Sequence, residues 1–333
     1  MSGVQNITVL EADDDIRLDK WFKRHFPAVA FGRLSKLMRT GQVRLDGKRV
    51  KVSDRVQAGQ VVRVPPLGEE ERSKTAPKKV HRKELNAEDV QRMQNMILFE
   101  DDHVIVLNKE PGIPVQGGTN THKHIDGMLE ALMRPGDTER PKLVHRLDKD
   151  TSGVLLLART SKIAKSLAGA FKTRDTEKLY WALLKGVPQW WDGKIDNHMT
   201  KAPGAHGEKM IECDQHEDGA KRAITYFRVV EAANKQAAWI VFQPRTGRTH
   251  QLRLHATCIE TPIVGDGKYG GQEAFLGGLI SNKLHLHARS LTFPHPAGGD
   301  MTVTAPLPRH MKNSWDVLGF DESQHVNPFE EEF

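Results

Sequence analysis

His145-Arg146-Leu147-Asp148-Lys149-Asp150-Thr151-Ser152-Gly153 is the stretch on which the reading of this chain turns. Five ionisable groups crowd into it, between apolar runs that read as strands. Gly153 lets the backbone turn where polar loop meets strand. Such a loop can lift a carboxylate out of a sheet toward a ligand. It can equally be a plain turn, with an Arg146–Asp148 ion pair and a Thr or Ser cap, and the residue types alone leave both readings open.

Outward from this loop the chain alternates short apolar strands with a few helices. Strands are predicted over Val104–Leu107, Val154–Ala158, Leu179–Leu184, Ile224–Val230 and Trp239–Phe242, and a helix over Ser161–Phe171 with Ser161 as its N-cap. This is an α+β pattern: a larger domain, 91–318, on a mixed, mainly antiparallel sheet with flanking helices. The residues from 319 to 333 form an acidic tail, expected to be mobile from Asp321 onward. No internal repeat is evident.

Residues 14–66 read as a separate small domain. Asp15 to Phe22 opens an amphipathic helix. Phe31 to Thr40 forms a second, with Leu34, Leu37 and Met38 on one face, and Gly41 stops it. Asp46-Gly47 between alternating residues is a hairpin signal, and Gln60–Pro65 supplies a third strand. Thirteen Lys and Arg residues face three Asp residues between 17 and 66, a local excess of +10 against +6 for the whole chain. A solvated basic face explains any single lysine, but an excess this dense points to nucleic acid. Residues 67–90, charged and without apolar periodicity, read as a linker.

Composition excludes several classes. No run nears the roughly 20 apolar residues of a membrane helix, and the N-terminus lacks a secretory pattern, so a cytoplasmic protein is expected. Cys213 and Cys258 form no CxxC pair, which argues against zinc. His285 and His287 share one face of an expected strand, more in keeping with two polar residues on a strand face than with metal ligands. Gly265-Asp266-Gly267-Lys268-Tyr269-Gly270 fits GxGxxG. A dinucleotide site also needs a following helix, for which GGQEAFLGGL is a poor candidate, and an acid about 20 residues on, which the region around Ser290 lacks.

The segment RLDKWF…FGRLSKLMRTGQVRLDGKRV resembles the S4 RNA-binding domain. That resemblance implies an RNA surface, for which Arg17, Lys20, Arg33, Lys36, Arg39, Arg44, Lys48 and Arg49 are the candidates. HRLDKDTSG resembles the signature of the pseudouridine synthases of the RluA, RluC and RluD type. KLYWAL at 178–183, RTGRTHQLRLH at 245–255, PIVGDGKYG at 262–270 and LHA at 286–288 follow in that family's order. The S4-like segment ahead of them, and the run from Lys109 to Thr119, are nearest to the RluC type, although Gln116 stands where a histidine is common.

The resemblance implies an isomerase that turns uridine into pseudouridine, most simply in large-subunit ribosomal RNA, with transfer RNA as the alternative substrate. It implies Asp148 as the catalytic carboxylate, by attack at C1′, addition to the ring, or removal of the C2′ proton. It also implies Tyr180 and Arg253 as catalytic partners. Arg253 would hold down the pKa of Asp148 from a helix capped by Thr249. Arg146 would fill the space of a flipped uridine, and Ile263 and Leu286 would line the base pocket. The reaction needs neither metal nor nucleotide cofactor, and a monomer acting on RNA is expected. The competing class is a non-catalytic RNA-binding or ribosome-assembly protein, which would not need Asp148, Tyr180 and Arg253 together.

Overall fold

Asp46 and Gly47 both take positive φ, 48° and 77°, the conformation that turns two strands tightly back on each other. They join β2 (Arg44–Leu45) to β3 (Lys48–Arg49). In the computed structural model, which describes residues 3–68, 85–117, 123–173, 175–204, 208–323 and 327–329, this hairpin lies in the first of two units, Met1–Glu84 and Leu85–Phe333. Its sheet has the order β1 (Gln5–Thr8), β4 (Val61–Val64), β2, β3. Helices α1 (Leu18–His25) and α2 (Phe31–Arg39) bury Trp21, Phe22, Leu34, Leu37 and Met38 in one core with Val43, Val56 and Val62.

Both edges expected for this unit move outward. It starts before residue 14: Gln5–Thr8 pairs with Val61–Val64, and Val9 is buried. That strand is held by main-chain hydrogen bonds more than by an apolar face, so its sequence gives little pattern. At the other end Leu67 is buried in the same core rather than starting a linker.

Residues 69–84 of the expected linker lie outside the described residues. From Leu85 the chain belongs to the second unit, where α3 (Ala87–Asn95) begins inside the segment expected to be linker. Asn86 caps it by accepting the Asp89 N–H at 2.7 Å, and Met93 and Met96 are buried. The cap and the acidic first turn were visible in the sequence, but the sparse apolar residues hid the helix.

The large sheet runs in the order β11 (Lys209–Cys213), β10 (Asp192–Ala202), β12 (Lys221–Ala233), β13 (Ala237–Pro244), β9 (Glu177–Lys185), β14 (Leu286–Pro294), β8 (Ser152–Ala158), β6 (Val104–Lys109), β5 (Ile97–Glu100). β15 (Asp300–Thr304) pairs with β14, and β7 (Lys142–Leu143) with β8. Every pairing is antiparallel except β14 with β8, so the fold is α+β on a mixed, mainly antiparallel sheet. Strand pleating sorts the core into two faces. Tyr180, Ala182 and Leu184 join Ile240, Phe242, Leu252 and Leu286 on one. Leu179, Trp181 and Leu183 join Trp239, Met311 and Trp315 on the other.

The parallel contact depends on Gly153. Its φ is +105°, and a Cβ there would sit 2.1 Å from the Ala288 carbonyl oxygen. Two further expectations change. Thr160, not Ser161, caps helix α4 (Ser161–Thr173): its hydroxyl accepts the Ile163 N–H, while Ser161 bonds to Glu139. The tail does not simply leave the surface. Phe320 is buried, Phe329 packs on the Trp239 cluster, Arg228 donates to the Pro328 carbonyl, and Asn327 bonds Glu177. No helix among the described residues is long and apolar enough to cross a membrane.

Candidate active site

Between β7 and β8, the loop carrying Asp148 is held from three sides. Leu147 is buried in the core under it. His145 accepts the Leu156 N–H through Nε2 at 2.9 Å and stacks on Phe171. Burial, and then the charge of Lys178, bring the pKa of His145 down to about 3, so the ring stays neutral and keeps that acceptor. From beneath, the fully buried Lys109 sends its ammonium to the carbonyls of Glu110, Ile113 and Lys149 at 2.8, 2.9 and 2.9 Å. Burial lowers its pKa to about 7, against the charges of Asp150, Asp148 and Glu110. With its frame fixed, Asp148 keeps its carboxylate partly open, 22% exposed.

Asp148 and Tyr180 line one cavity with Arg146, Thr151, Thr246, Arg248, His250, Arg253 and Leu286. Tyr180 comes from the middle of β9 and packs against the apolar clusters on both sides of it. Burial, and then the negative charge of Asp148, raise its pKa, so the phenol stays protonated. Leu286 supplies an apolar wall. Arg146 stands exposed at the rim, where this cavity meets a cleft lined by Lys172, Lys178, Arg245 and Arg248.

Arg253 enters the cavity from helix α5 (Gln251–Cys258), but it does not pair with Asp148. Its Nε and Nη2 grip both oxygens of Asp266 at 2.7 and 2.6 Å. The Asp266 side chain is 0% exposed, and a carboxylate so buried needs a bidentate partner. Burial works against the guanidinium charge, yet the hydrogen bond to Asp266, its charge, and then that of Asp148 hold the pKa above its ordinary value. Thr249 does not cap the helix. His250 holds the N-cap position in the left-handed region, φ 53°, and the Gln251 side chain accepts the Arg248 N–H.

Of the residues expected to meet substrate, Asp148, Tyr180, Arg253, Arg146 and Leu286 share the cavity. Ile263 does not: it is 0% exposed and packs within the core beside Ala182, Leu184 and Leu252. Arg17, Lys20, Arg33, Lys36, Arg39, Arg44, Lys48 and Arg49 are all exposed on the first unit; Arg17 pairs with Asp19, and Arg44 donates to the Gly41 and Gly47 carbonyls. Sequence reading missed Asp266, His250 and Tyr269. Asp266 and Tyr269 fall in the GxGxxG-like run, where Gly265 (φ +80°) lets the backbone pass against Lys283. Part of the run Lys109–Thr119, its residues 118 and 119, lies outside the described residues.

The strand-face histidines have other partners. His287 contacts the Ser152 hydroxyl and the Ala305 carbonyl; His285 contacts the Lys283 carbonyl and the Ser314 hydroxyl. Both cysteines are free. Among the described residues no set of three or more His, Cys, Asp or Glu side chains converges as a metal site would.

Comparison with known proteins finds relatives along most of the chain. Residues 103–257 match the model of a family described as RNA pseudouridylate synthase. The chain is 33% identical over 309 residues to Ribosomal large subunit pseudouridine synthase C of Vibrio parahaemolyticus, covering 90% of this chain and 93% of that one. To the Escherichia coli (strain K12) protein of the same name it is 33% identical over 318 residues, covering 94% and 96%. Among solved structures it is similar to Human RNA Pseudouridylate Synthase Domain Containing 4, with a TM-score of 0.59 and 28% identity over 69% of this chain and 95% of that one.

Proposed function

Because this chain belongs to the RNA pseudouridylate synthase family, we propose that it converts uridines of large-subunit ribosomal RNA to pseudouridine, with Asp148 as the reactive carboxylate. The relatives it matches along nearly their whole length are named for that ribosomal subunit. The observation that carries the site assignment is the shared cavity: an open carboxylate, a protonated tyrosine and an apolar wall beside a guanidinium.

The chemistry suits these groups. The N1–C1′ bond breaks and a C5–C1′ bond forms; C5 loses a proton and N1 gains one. Nothing is oxidised or hydrolysed, so the balance closes within the RNA and water. Asp148 is the carboxylate that opens the sequence, as nucleophile or base. Tyr180 gives the detached base a ring to lie against and a phenol for proton transfer. Leu286 walls the base in. The target uridine must leave its stack, at a cost of a few kcal/mol, and Arg146 at the rim fills the vacated space with a planar cation.

The first unit is an S4-like RNA anchor. Its exposed cations meet phosphates, which position RNA without reading it. The enzyme works in the cytoplasm as a monomer on structured RNA. The test is purified full-length chain with large-subunit RNA labelled with tritium at uridine C5, no cofactor added, and transfer RNA in parallel. Tritium release at a few sites of ribosomal RNA is expected. No release, or release from transfer RNA alone, overturns the reading.

A further inference from the structure

His250 faces the same carboxylate from a direction the reaction scheme leaves unused. Its Nε2 lies 3.9 Å from Asp148 Oδ2, and its Nδ1 lies 3.0 Å from the Tyr269 hydroxyl. That hydroxyl already accepts the Met210 N–H at 3.1 Å, so its own hydrogen is free for Nδ1. A ring that accepts at Nδ1 carries its proton on Nε2, the nitrogen turned toward Asp148.

Tyr269 is itself fixed. It is 9% exposed, its N–H meets Asp266 Oδ1 at 3.2 Å, and the Arg253 guanidinium lies over its ring, 5.0 Å from the centroid. The buried Arg253–Asp266 pair therefore anchors Tyr269, and Tyr269 sets the tautomer of His250. The charged groups around His250 are Asp148, Arg253, Lys268 and Asp266. Burial, the largest influence, lowers its pKa, so the ring is a neutral donor when RNA is handled near neutrality.

We propose that His250 is a positioning residue for the isomerisation, its Nε2–H holding one oxygen of Asp148 so that the other is presented to the ribose or base. The proposal rests on the reading of Asp148 as the reactive carboxylate. At 3.9 Å the contact is too long for a direct hydrogen bond; a small rotation of either side chain or one bridging water closes it. Holding a carboxylate matters because a displacement of about 1 Å at a reacting group can cost about 100-fold in rate.

The left-handed backbone at His250 makes a sharp test possible. Asparagine tolerates that conformation well but is too short to reach Asp148; glutamine fits the backbone less well but can place an amide N–H near the Nε2 position. In full-length enzyme with ribosomal RNA, His250→Asn should lower kcat about 100-fold with KM within about threefold, and His250→Gln should restore most of the loss. A purely structural role demands the reverse order, so an Asn variant as active as the Gln variant, or more so, overturns the proposal. Tyr269→Phe frees the ring to take either tautomer and should lower kcat about tenfold without moving KM; unchanged kcat is a second contrary result. Asp148→Asn is measured alongside. Should it turn over normally, the reading of Asp148 fails first. Should it be dead while His250→Asn keeps full kcat, only the role of His250 fails.

Discussion

Tyr180 holds its proton because burial and the charge of Asp148 both oppose its loss. It therefore serves as a donor throughout the neutral range. Tyr180→Phe keeps the ring and removes the donor, so RNA binding should persist while kcat falls about 100-fold, within the range of one positioned acid. Wild-type product formation would reduce Tyr180 to a stacking surface. Arg253 makes a different demand. Asp266→Asn would leave its buried guanidinium without a charge partner and should destabilise the fold by about 3–5 kcal/mol, readable as a lowered denaturant midpoint; an unchanged midpoint would show that the pair is not structural. At this scale the sequence was legible only in part. Asp148 and Tyr180 could be picked out from motifs, since each motif is one short run. The partner of Arg253 could not, because Asp266 lies 13 residues on, in a glycine-rich turn that reads like a phosphate loop. Ile263 sits in a motif too, yet it is core, and nothing in one strand's pattern tells which of two apolar residues reaches a cavity.

Among the elements, β8 and β14 fix the site. The parallel contact Gly153↔Ala288 brings the end of the Asp148 loop against the strand that carries Leu286. Gly153→Ala would drive a methyl to 2.1 Å from a carbonyl oxygen at φ +105°, where neither strand can give way cheaply. Loss of several kcal/mol of stability is expected, with activity lost at temperatures where wild type is folded. A variant as stable as wild type would mean that the strands part without cost. Strands with two buried faces, such as β8 and β13, could be read from the sequence because they are continuous apolar runs. The edge strand β11 and its neighbour β10 could not: KMIEC and DGKIDNHMTKA alternate irregularly and expose much of their length. The first turn of helix α3 was read as linker for the same reason, with Met93 the helix's single fully buried residue.

At the scale of the whole molecule, three of the described histidines, all wholly buried, tie stability to pH. Burial is the main cause in each: His255 and His285 fall to about 4 and His287 to about 3. In the unfolded chain each titrates near 6.5, so between that pH and the folded values the unfolded state binds more protons. Stability is complete above pH 6.5 and lost as pH falls, by up to about 1.4 kcal/mol per pH unit per group. Melting temperature should drop steeply from pH 6.5 to 4.5; a flat profile would mean that these rings are not held neutral. The division into two units yields another test. A chain starting at Leu85, which keeps Asn86 and the buried Met93 and Met96, should fold and modify a short stem-loop at saturating concentration with kcat within about twofold. On long ribosomal RNA it should bind more weakly, and each lost phosphate contact should flatten the salt slope by about 0.7–0.9. Loss of turnover on the short substrate would make the first unit part of the active site. The most direct test of the central claim maps pseudouridines in large-subunit ribosomal RNA from cells lacking this protein, then from the same cells given wild type or Asp148→Asn. The account predicts a few sites that vanish with the protein, return with wild type and stay uridine with Asp148→Asn, although the variant still binds the RNA. Sites restored by Asp148→Asn would contradict it.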